Sequence, residues 1–279
     1  MMHALVLVKQ VPDTKNAKLH PVTYTIDRSS TINITNPSDL NAVETAVRMK
    51  EAYGGMVLSL SMGPPSAVET IRQTIQMGVD QGFMISDRAF AGADTLATAY
   101  ALSVAVKKIE RTVAPLDLII TGKMTIDGDT GQVGPGVARR LGWYVFTNVL
   151  EIVDIQLNKR MITVRRQTNS GYEVVVSPLP ALIAVDPSIY KPRRASMPNM
   201  VRAARYQPTI WSVDDLEGID RSKLGLKGSP TIVRKVFPPP KPEGGEKITG
   251  TLDEQVKILT KILLQRPEWI KTNAKVGER

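Results

Sequence analysis

Short apolar runs alternate along the chain with longer stretches in which apolar residues recur every three or four positions. Apolar runs of this length predict buried strands, and the longer spacing predicts amphipathic helices. The first four strands are expected over residues 3–8, 56–61, 81–86 and 116–121. Each is followed by a predicted helix, in units of about 25 to 40 residues. This alternation is typical of a parallel sheet with helices on both faces.

Turn and capping residues mark the ends of the predicted helices. Residues 36–39, Asn-Pro-Ser-Asp, form a helix start with asparagine as N-cap and proline at the first helical position. Residues 92–95, Gly-Ala-Asp-Thr, form a second start of this kind. Gly78 and Gly142 each follow a segment of helical periodicity, so both are expected to end a helix.

The pattern changes after residue 146. Segments 147–157, 160–167 and 172–177 predict strands joined by tight turns, which together form an antiparallel extension. Residues 182–185 are expected to return to the main sheet, and residues 15–35 to form a short hairpin arm. The predicted fold class is therefore α/β: an open, mainly parallel Rossmann-like sheet with helices on both faces, an antiparallel extension and an extended C-terminal arm.

Beyond residue 186 the chain is rich in proline and arginine and has few apolar runs. We expect an arm rather than a second core, with residues 237–246, FPPPKPEGGE, as a linker. A short terminal helix follows within residues 247–279. One stripe of that helix, which must dock on another surface, is formed by Leu252, Val256, Leu259 and Leu263.

Composition excludes several classes of chemistry. The 279-residue chain has no cysteine, which excludes disulfides, thiolate catalysis and an iron–sulfur cluster held by this chain. With only His3 and His20, no histidine-based metal site is expected. No apolar run reaches the roughly 18 residues of a membrane span, and the N-terminus lacks the layout of a signal peptide. We therefore expect a cytoplasmic protein.

The net charge of +9 is unevenly distributed. Residues 187–240 contain ten Lys/Arg and four Asp/Glu, so +6 lies in this segment. A nucleic-acid-binding arm is one interpretation of such a basic segment. However, the segment has few aromatic residues and no nucleic-acid-binding motif. An acidic protein partner or a solvated surface is the favoured interpretation.

Residues 122–136, GKMTIDGDTGQVGPG, connect a predicted strand to a predicted helix and contain five glycines. Glycines allow backbone N–H groups to converge on a ligand, and a helix N-terminus adds partial positive charge. Thr130 and Gln132 add a hydroxyl and an amide, whereas Asp127 and Asp129 oppose a phosphate unless they turn away. The pattern matches neither a P-loop nor G-x-G-x-x-G. It predicts a phosphate cradle, with a ligand-free glycine-rich connection as the alternative.

Six motifs occur in order: VKQVPDT, NPSDLNAVETA, SMGPP, FAGADTLATA, GKMTIDGDTGQVGP and PRRASMPNM. Together they resemble the beta subunit of an electron transfer flavoprotein over roughly residues 3–240. HPVTYTIDR, DTLATA and GSPTIVRKVF resemble the FixA-type branch, whose members are associated with electron bifurcation. An ATP-pyrophosphatase of similar architecture should show SGGxDS where KQVPDT stands, and a stress-type nucleotide-binding module should lack the arm after residue 186.

The resemblance implies a heterodimer with an alpha subunit that carries FAD. In ordinary members the beta subunit holds AMP. In bifurcating members the same site resembles an FAD site, to which NADH delivers a hydride. One electron then passes through the alpha-subunit FAD to a quinone-reducing flavoprotein, and the other to ferredoxin or flavodoxin. The flavin carries this chemistry, so no catalytic side chain is expected, and the complex could reach a membrane through partner subunits.

The resemblance also assigns domains and sites. It implies a nucleotide-binding domain over residues 1–186 and a partner-docking arm and linker over 187–246. The last residues fall largely outside the resemblance, and we expect the terminal helix within 247–279 to dock on the partner subunit through its apolar stripe. The implied nucleotide contacts are Leu7, Val8, Lys9, Asn36, Pro37, Ser38, Asp39, Met62, Gly63, Gly122, Thr125, Ile126, Asp127, Gly128, Asp129, Thr130, Gly131, Gln132, Val133, Gly134, Pro135 and Gly136. Leu7 and Met62 are expected to sandwich an adenine, and Asp39 to hold a ribose or cap its helix.

Two further sites are implied. A second nucleotide, NAD(H), is assigned to Gly92, Asp94, Thr95 and Thr98, which otherwise form an ordinary helix start. Partner docking is assigned to Pro192, Arg193, Met197 and Pro198. Met197 stands where the family usually has leucine, and it would insert into a partner's pocket as an adaptable apolar side chain. The alternative is a surface loop bounded by prolines.

Overall fold

The computed structural model describes residues 1–13, 32–233 and 244–265. The chain divides into two compact units, Met1–Val236 and Phe237–Arg279. Most of the predicted hairpin arm, residues 14–31, lies outside the described residues, as does the linker up to residue 243. In the described part of the chain, no helix is both long enough and apolar enough to cross a bilayer.

Eleven strands and six α-helices are present in these residues. The strands are Met2–Leu7 (β1), Gln10–Pro12 (β2), Asn33–Thr35 (β3), Gly55–Met62 (β4), Gln81–Ile85 (β5), Leu118–Gly122 (β6), Tyr144–Gln156 (β7), Met161–Thr168 (β8), Gly171–Pro178 (β9), Ala181–Val185 (β10) and Thr209–Trp211 (β11). The helices are Pro37–Tyr53 (α1), Val68–Met77 (α2), Thr95–Thr112 (α3), Val133–Leu141 (α4), Met197–Arg205 (α5) and Leu252–Leu264 (α6).

Nine strands form one sheet in the order β11-β5-β4-β1-β6-β10-β7-β8-β9. Neighbours from β11 to β7 are parallel, and β7, β8 and β9 are antiparallel. The predicted mainly parallel α/β sheet with an antiparallel extension is confirmed. β1 lies between β4 and β6, so the carboxyl ends of these three strands are adjacent.

The central parallel strands β4, β1, β6 and β10 are covered on both faces, which explains their continuous apolar runs. Successive residues of β1 alternate between two separate cores. Ala4 and Val6 pack with residues of α1 and α2, whereas Leu5 and Leu7 pack with residues of α3 and α4. Along the chain, helices α2, α3 and α4 each follow the carboxyl end of a parallel strand, and α1 follows β1 by way of β2 and β3. Their N-termini therefore lie at the carboxyl edge of the sheet.

Residues 187–233 pack on the sheet of their own unit, although the sequence predicts an extended arm. Trp211 belongs to β11, which pairs with β5, and its ring stacks on Phe83 with centroids 5.1 Å apart. Leu216 and Leu224 enter the same core. A three-residue strand and isolated apolar residues have no readable period, so the sequence pattern does not reveal this packing.

Candidate functional site

The candidate site lies at the carboxyl edge of β1, β4 and β6. In open α/β sheets, ligands bind beyond the carboxyl ends of the strands. Residues 122–136 leave β6 at this edge and enter α4, and α1 begins beside them. The structure therefore brings the strand ends, the start of α1 and the glycine-rich loop together, as the sequence motifs imply.

Asn36 ties the glycine-rich loop to the start of α1. It occupies the predicted N-cap position, but its side chain caps no N–H of the helix, so that part of the prediction is wrong. Its Nδ2 donates to Asp39 Oδ1 at 2.9 Å and to the Met124 carbonyl oxygen at 3.1 Å. Its Oδ1 accepts from the Ile126 N–H at 3.2 Å. The loop residues Met124 and Ile126 thus bind the Asn36 amide in place of an N–H of the helix. Asn36 is fully buried and positions the loop.

Asp39 joins the ends of β1 and β6 from inside the protein. Its Oδ2 accepts from the Lys9 backbone N–H at 2.9 Å, and the carboxylate also accepts from the Gly122 N–H. The side chain is only 5% exposed. Asn36 donates to the other oxygen, so both carboxylate oxygens of Asp39 are bound to groups of this chain. Asp39 therefore supports the crevice from within the protein. The sequence instead assigned Asp39 to a ribose or to the cap of its own helix.

Gly122 has no space for a side chain. A Cβ there would lie 2.5 Å from Asp39 Oδ1 and 2.7 Å from the backbone of Ser38. Ser38 is itself engaged, because its Oγ accepts from the Lys123 N–H at 2.9 Å. The implied contacts over residues 36–39 are thus mostly buried supports of the loop, with Pro37 as the exposed member.

Burial raises the pKa of Asp39 to about 7, although hydrogen bonds from Asn36, Lys9 and Gly122 oppose the rise. The folded protein therefore binds this proton more tightly than the unfolded chain, in which the pKa is near 3.8. The stability that Asp39 contributes is present in full at acidic pH and is lost as the pH rises through about 7.

We expect this loss of stability to appear when the free energies of unfolding of wild type and Asp39→Asn are compared across pH. The wild-type free energy of unfolding minus that of the variant should fall from pH 4 to about 7 and stay constant above. Denaturant unfolding at a series of pH values measures it. A difference independent of pH would show that folding does not raise the pKa of Asp39.

An ion pair crosses the mouth of the crevice. Lys9 Nζ lies 2.6 Å from Asp127 Oδ2, and the two residues are 118 positions apart in the chain. Burial would raise the pKa of Asp127, but hydrogen bonds from Lys9 and Thr125 outweigh it and hold that pKa below its usual value. The carboxylate of Asp127 is therefore directed to a cation, as a phosphate in this loop requires of it, and Asp129 is exposed.

The backbone from residue 130 to 134 supplies donors. Within the described residues, the N–H groups of Thr130, Gly131, Gln132, Val133 and Gly134 have no acceptor. Val133 and Gly134 are the first residues of α4, whose first-turn N–H groups have no partner within the helix. Gly131 has φ +61°, in the left-handed region that favours glycine. A row of free N–H groups at a helix N-terminus fits a phosphate or pyrophosphate.

The residues at the strand ends differ in how accessible they are. Leu7 and Val8 are buried at 6% and 5% exposure, and the side chain of Leu7 belongs to the core beneath α3 and α4. Met62 and Gly63 are half-buried at the end of β4. Met62 therefore presents a partly accessible apolar side chain at this edge, whereas Leu7 lies in the core and shapes the strand end.

The start of α3 meets the glycine-rich loop through Thr95. Its Oγ1 donates to Gln132 Oε1 at 2.8 Å. Asp94 caps α3, since its Oδ1 accepts from the Leu96 and Ala97 N–H groups at 3.0 Å. Its Oδ2 accepts from the Thr231 hydroxyl at 2.8 Å. Of the residues assigned to a second nucleotide, Thr95 is the one that the structure brings to the loop.

Comparison with known proteins supplies the family. Residues 23–216 match the family model described as the electron transfer flavoprotein domain. The chain belongs to the electron transfer flavoprotein family.

The relatives are beta subunits, including proteins of the FixA type. Protein FixA of Azorhizobium caulinodans is 47% identical over 238 residues, which cover 85% of each chain. The electron transfer flavoprotein subunit beta of Thermoanaerobacterium thermosaccharolyticum is 39% identical over 95% of this chain and 99% of the relative. The caffeyl-CoA reductase-Etf complex subunit CarD of Acetobacterium woodii is 41% identical over 91% of this chain and 95% of the relative. The resemblance to a FixA-type beta subunit is confirmed.

In this beta subunit the segment assigned to docking ends in a helix. Met197 is the first residue of α5 and is 71% exposed, and Pro198 follows it. Met200 and Val201 are 46% and 49% exposed. Residues three and four apart share a helix face, so these two extend the apolar surface around Met197. Sequence reasoning named Met197 as the apolar anchor and omitted Met200 and Val201, although the spacing 197, 200 and 201 was the available signal.

Proposed function

We propose that this beta subunit pairs with an FAD-carrying alpha subunit and binds a second FAD at residues 122–136, where NADH delivers its hydride. One electron leaves through the alpha-subunit FAD to a quinone-reducing flavoprotein, and the other goes to ferredoxin or flavodoxin. The observation that carries the proposal is the row of free N–H groups over residues 130–134, with Asp127 directed to Lys9. The match to FixA and CarD relatives favours the bifurcating branch.

The side chains of this chain bind and orient, and bound FAD would supply the hydride and single-electron chemistry. The N–H groups of residues 130–134 would hold its phosphates. Asn36, Ser38 and Asp39 fix the loop that carries those donors, and Met62 provides an apolar contact. Thr95, at the start of α3, hydrogen-bonds to Gln132, which precedes α4, and we place NAD(H) beside this pair.

The alternative is a non-bifurcating electron carrier that holds AMP in the same loop. Both ligands present a phosphate to residues 130–134, so the loop alone fits either. The two functions differ in the ligands that the heterodimer releases on denaturation. We expect two FAD and no AMP per heterodimer, and reduction of both flavins by NADH. One FAD and one AMP would favour the non-bifurcating carrier and leave the alpha-subunit pairing unchanged.

The exposed face of α5 is the proposed docking surface for the partner flavoprotein. We define this docking surface as Met197, Met200 and Val201. Arg194 and Arg205 carry positive charge on either side of it, whereas the guanidinium of Arg202 donates to the carbonyl oxygens of Ile75 and Val79. An apolar pocket with an acidic rim on the partner would match this arrangement.

The terminal helix α6 is proposed to dock on the alpha subunit. Its described residues are all at least partly exposed, and Val256, Leu259 and Leu263 are 52%, 49% and 38% exposed. Deleting residues 247–279 should weaken heterodimer formation at least tenfold, because this apolar stripe would lose its contact. The circular dichroism and melting temperature of the remaining unit should persist. Pairing of undiminished affinity would exclude α6 from the subunit interface.

A further inference from the structure

Arg193, which the sequence assigned to partner contact, is directed into its own subunit. Its Nε lies 2.8 Å from Glu44 Oε2, and its terminal nitrogens lie 2.5 Å and 3.0 Å from the two carboxylate oxygens of Glu51. Its backbone N–H also donates to Glu44 Oε2 at 3.1 Å. We call Glu44, Glu51 and Arg193 the α1 clamp. The guanidinium is therefore occupied by two carboxylates of one helix.

Glu44 is the buried centre of the α1 clamp. Its side chain is 1% exposed, and Arg48 holds its other oxygen at 2.7 Å. Burial would raise the pKa of Glu44, but hydrogen bonds from Arg193 and Arg48 outweigh it and keep the carboxyl ionised. A buried carboxylate that loses its partner is costly, so the position of Arg193 is strongly fixed.

Helix α1 also fixes the residues that precede Arg193 in the chain. Asn41 Nδ2 donates to the carbonyl oxygens of Pro187 at 3.0 Å and of Tyr190 at 2.7 Å. The guanidinium of Arg48 lies 4.7 Å from the centre of the Tyr190 ring. Residues 187–193 are thus attached to α1 at several points, and Met197 begins α5 only four positions after Arg193.

We propose that Glu44 and Glu51 are positioning residues for partner docking. Acting through Arg193, they hold the segment that leads into α5, so that the docking surface is ordered before the partner arrives. A pre-ordered surface avoids the cost of immobilising the segment on binding. This inference rests on the proposed docking role of α5. It assigns an effect on partner affinity to two acidic residues of α1 that lie outside the docking surface, of which Glu44 is buried.

The test uses the purified heterodimer and its quinone-reducing flavoprotein partner, with NADH as electron donor. Glu44→Gln and Arg193→Ala should each raise KM for the partner about tenfold and leave kcat within about twofold, because ordering costs enter at binding. Arg193→Lys should fall between Arg193→Ala and wild type, because lysine keeps the charge without the bidentate geometry. Glu51→Gln, at a half-exposed position, is a milder variant that preserves folding.

The matched control is Glu173→Gln, which removes a half-exposed acid of β9 paired with Arg166 of β8 at 2.7 Å. It should leave KM unchanged. A double-mutant cycle then separates positioning from direct contact or general instability. If the α1 clamp acts by presenting Met197, Glu51→Gln should raise KM in the wild-type background and have almost no further effect beside Met197→Asp.

Three other outcomes are informative. Additive effects in the cycle would overturn the inference, since Glu51 would then act independently of the docking surface. An effect of Met197→Asp without any effect of the clamp variants would also overturn it and leave the docking surface in place. No effect of Met197→Asp on KM would refute the proposed docking surface itself, and the positioning role would fall with it.

Discussion

Replacing Gly131 with valine should empty the nucleotide site of this beta subunit while the alpha-subunit flavin stays bound. Gly131 has φ +61°, where a β-branched side chain is strained by about 1–3 kcal/mol. Its Cβ would lie 3.0 Å from the Lys123 carbonyl oxygen, so the loop must also shift. Both effects displace the N–H groups of residues 130–134 that are proposed to hold the phosphates.

Gly142→Val is the matched control for this experiment. Gly142 ends α4 with φ +73°, and nothing lies within 4 Å of a Cβ built there. The control carries comparable backbone strain without a side chain against the loop, so it should lower the melting temperature but retain the nucleotide. Flavin and AMP are quantified per heterodimer after denaturation. A Gly131→Val heterodimer with full nucleotide content would show that the phosphates bind elsewhere.

Met197→Asp should weaken binding of the partner flavoprotein by about 2 kcal/mol or more, roughly thirtyfold, as expected for a central apolar anchor. The structure indicates that this substitution does not disturb the fold of α5. Met197 is the first residue of α5, and an acidic residue in the first turn of a helix favours that helix. Loss of binding would therefore reflect the docking surface and not an unfolded helix.

Met197→Leu is the corresponding control and should bind the partner nearly as well as wild type, because leucine is also apolar and of similar volume. Titration of the partner against immobilised heterodimer measures both variants. Each should retain its alpha subunit and its nucleotide content. If Met197→Asp also loses nucleotide, Met197 affects the crevice and is not only a docking residue.

The sequence predicted the sheet well because both of its faces are buried. In the central strands, residues 4–8 and 118–120 are apolar throughout, and parallel strands covered on both faces have that pattern. The glycine-rich loop was equally readable, since its composition and its place after β6 are local features. The element β11 was not predicted, because three residues carry too little periodicity, and α5 was missed although Met197, Met200 and Val201 have helical spacing.

Side-chain partners were harder to predict than elements. Asn36 has the residue type and position of a helix cap, and nothing local distinguishes a cap from a residue that holds a distant loop. The Lys9–Asp127 pair spans 118 positions, and the contact between Arg193 and Glu44 spans 149. Partners at such separations are fixed by the sheet order, which the linear pattern does not specify.

Helix α1 has an unusual interior, with a consequence for how this protein tolerates change. Five of its ten buried residues are polar or charged: Ser38, Asp39, Asn41, Glu44 and Thr45. Efforts to stabilise a protein usually replace such residues with apolar ones of similar size, and sequence design favours the same exchange. In α1 that exchange would keep the packing of the core. It would remove the hydrogen bonds that hold the glycine-rich loop at the start of the helix and those that hold residues 187–193 further along. A library screened only for thermal stability would therefore select, from this helix, folded but inactive proteins.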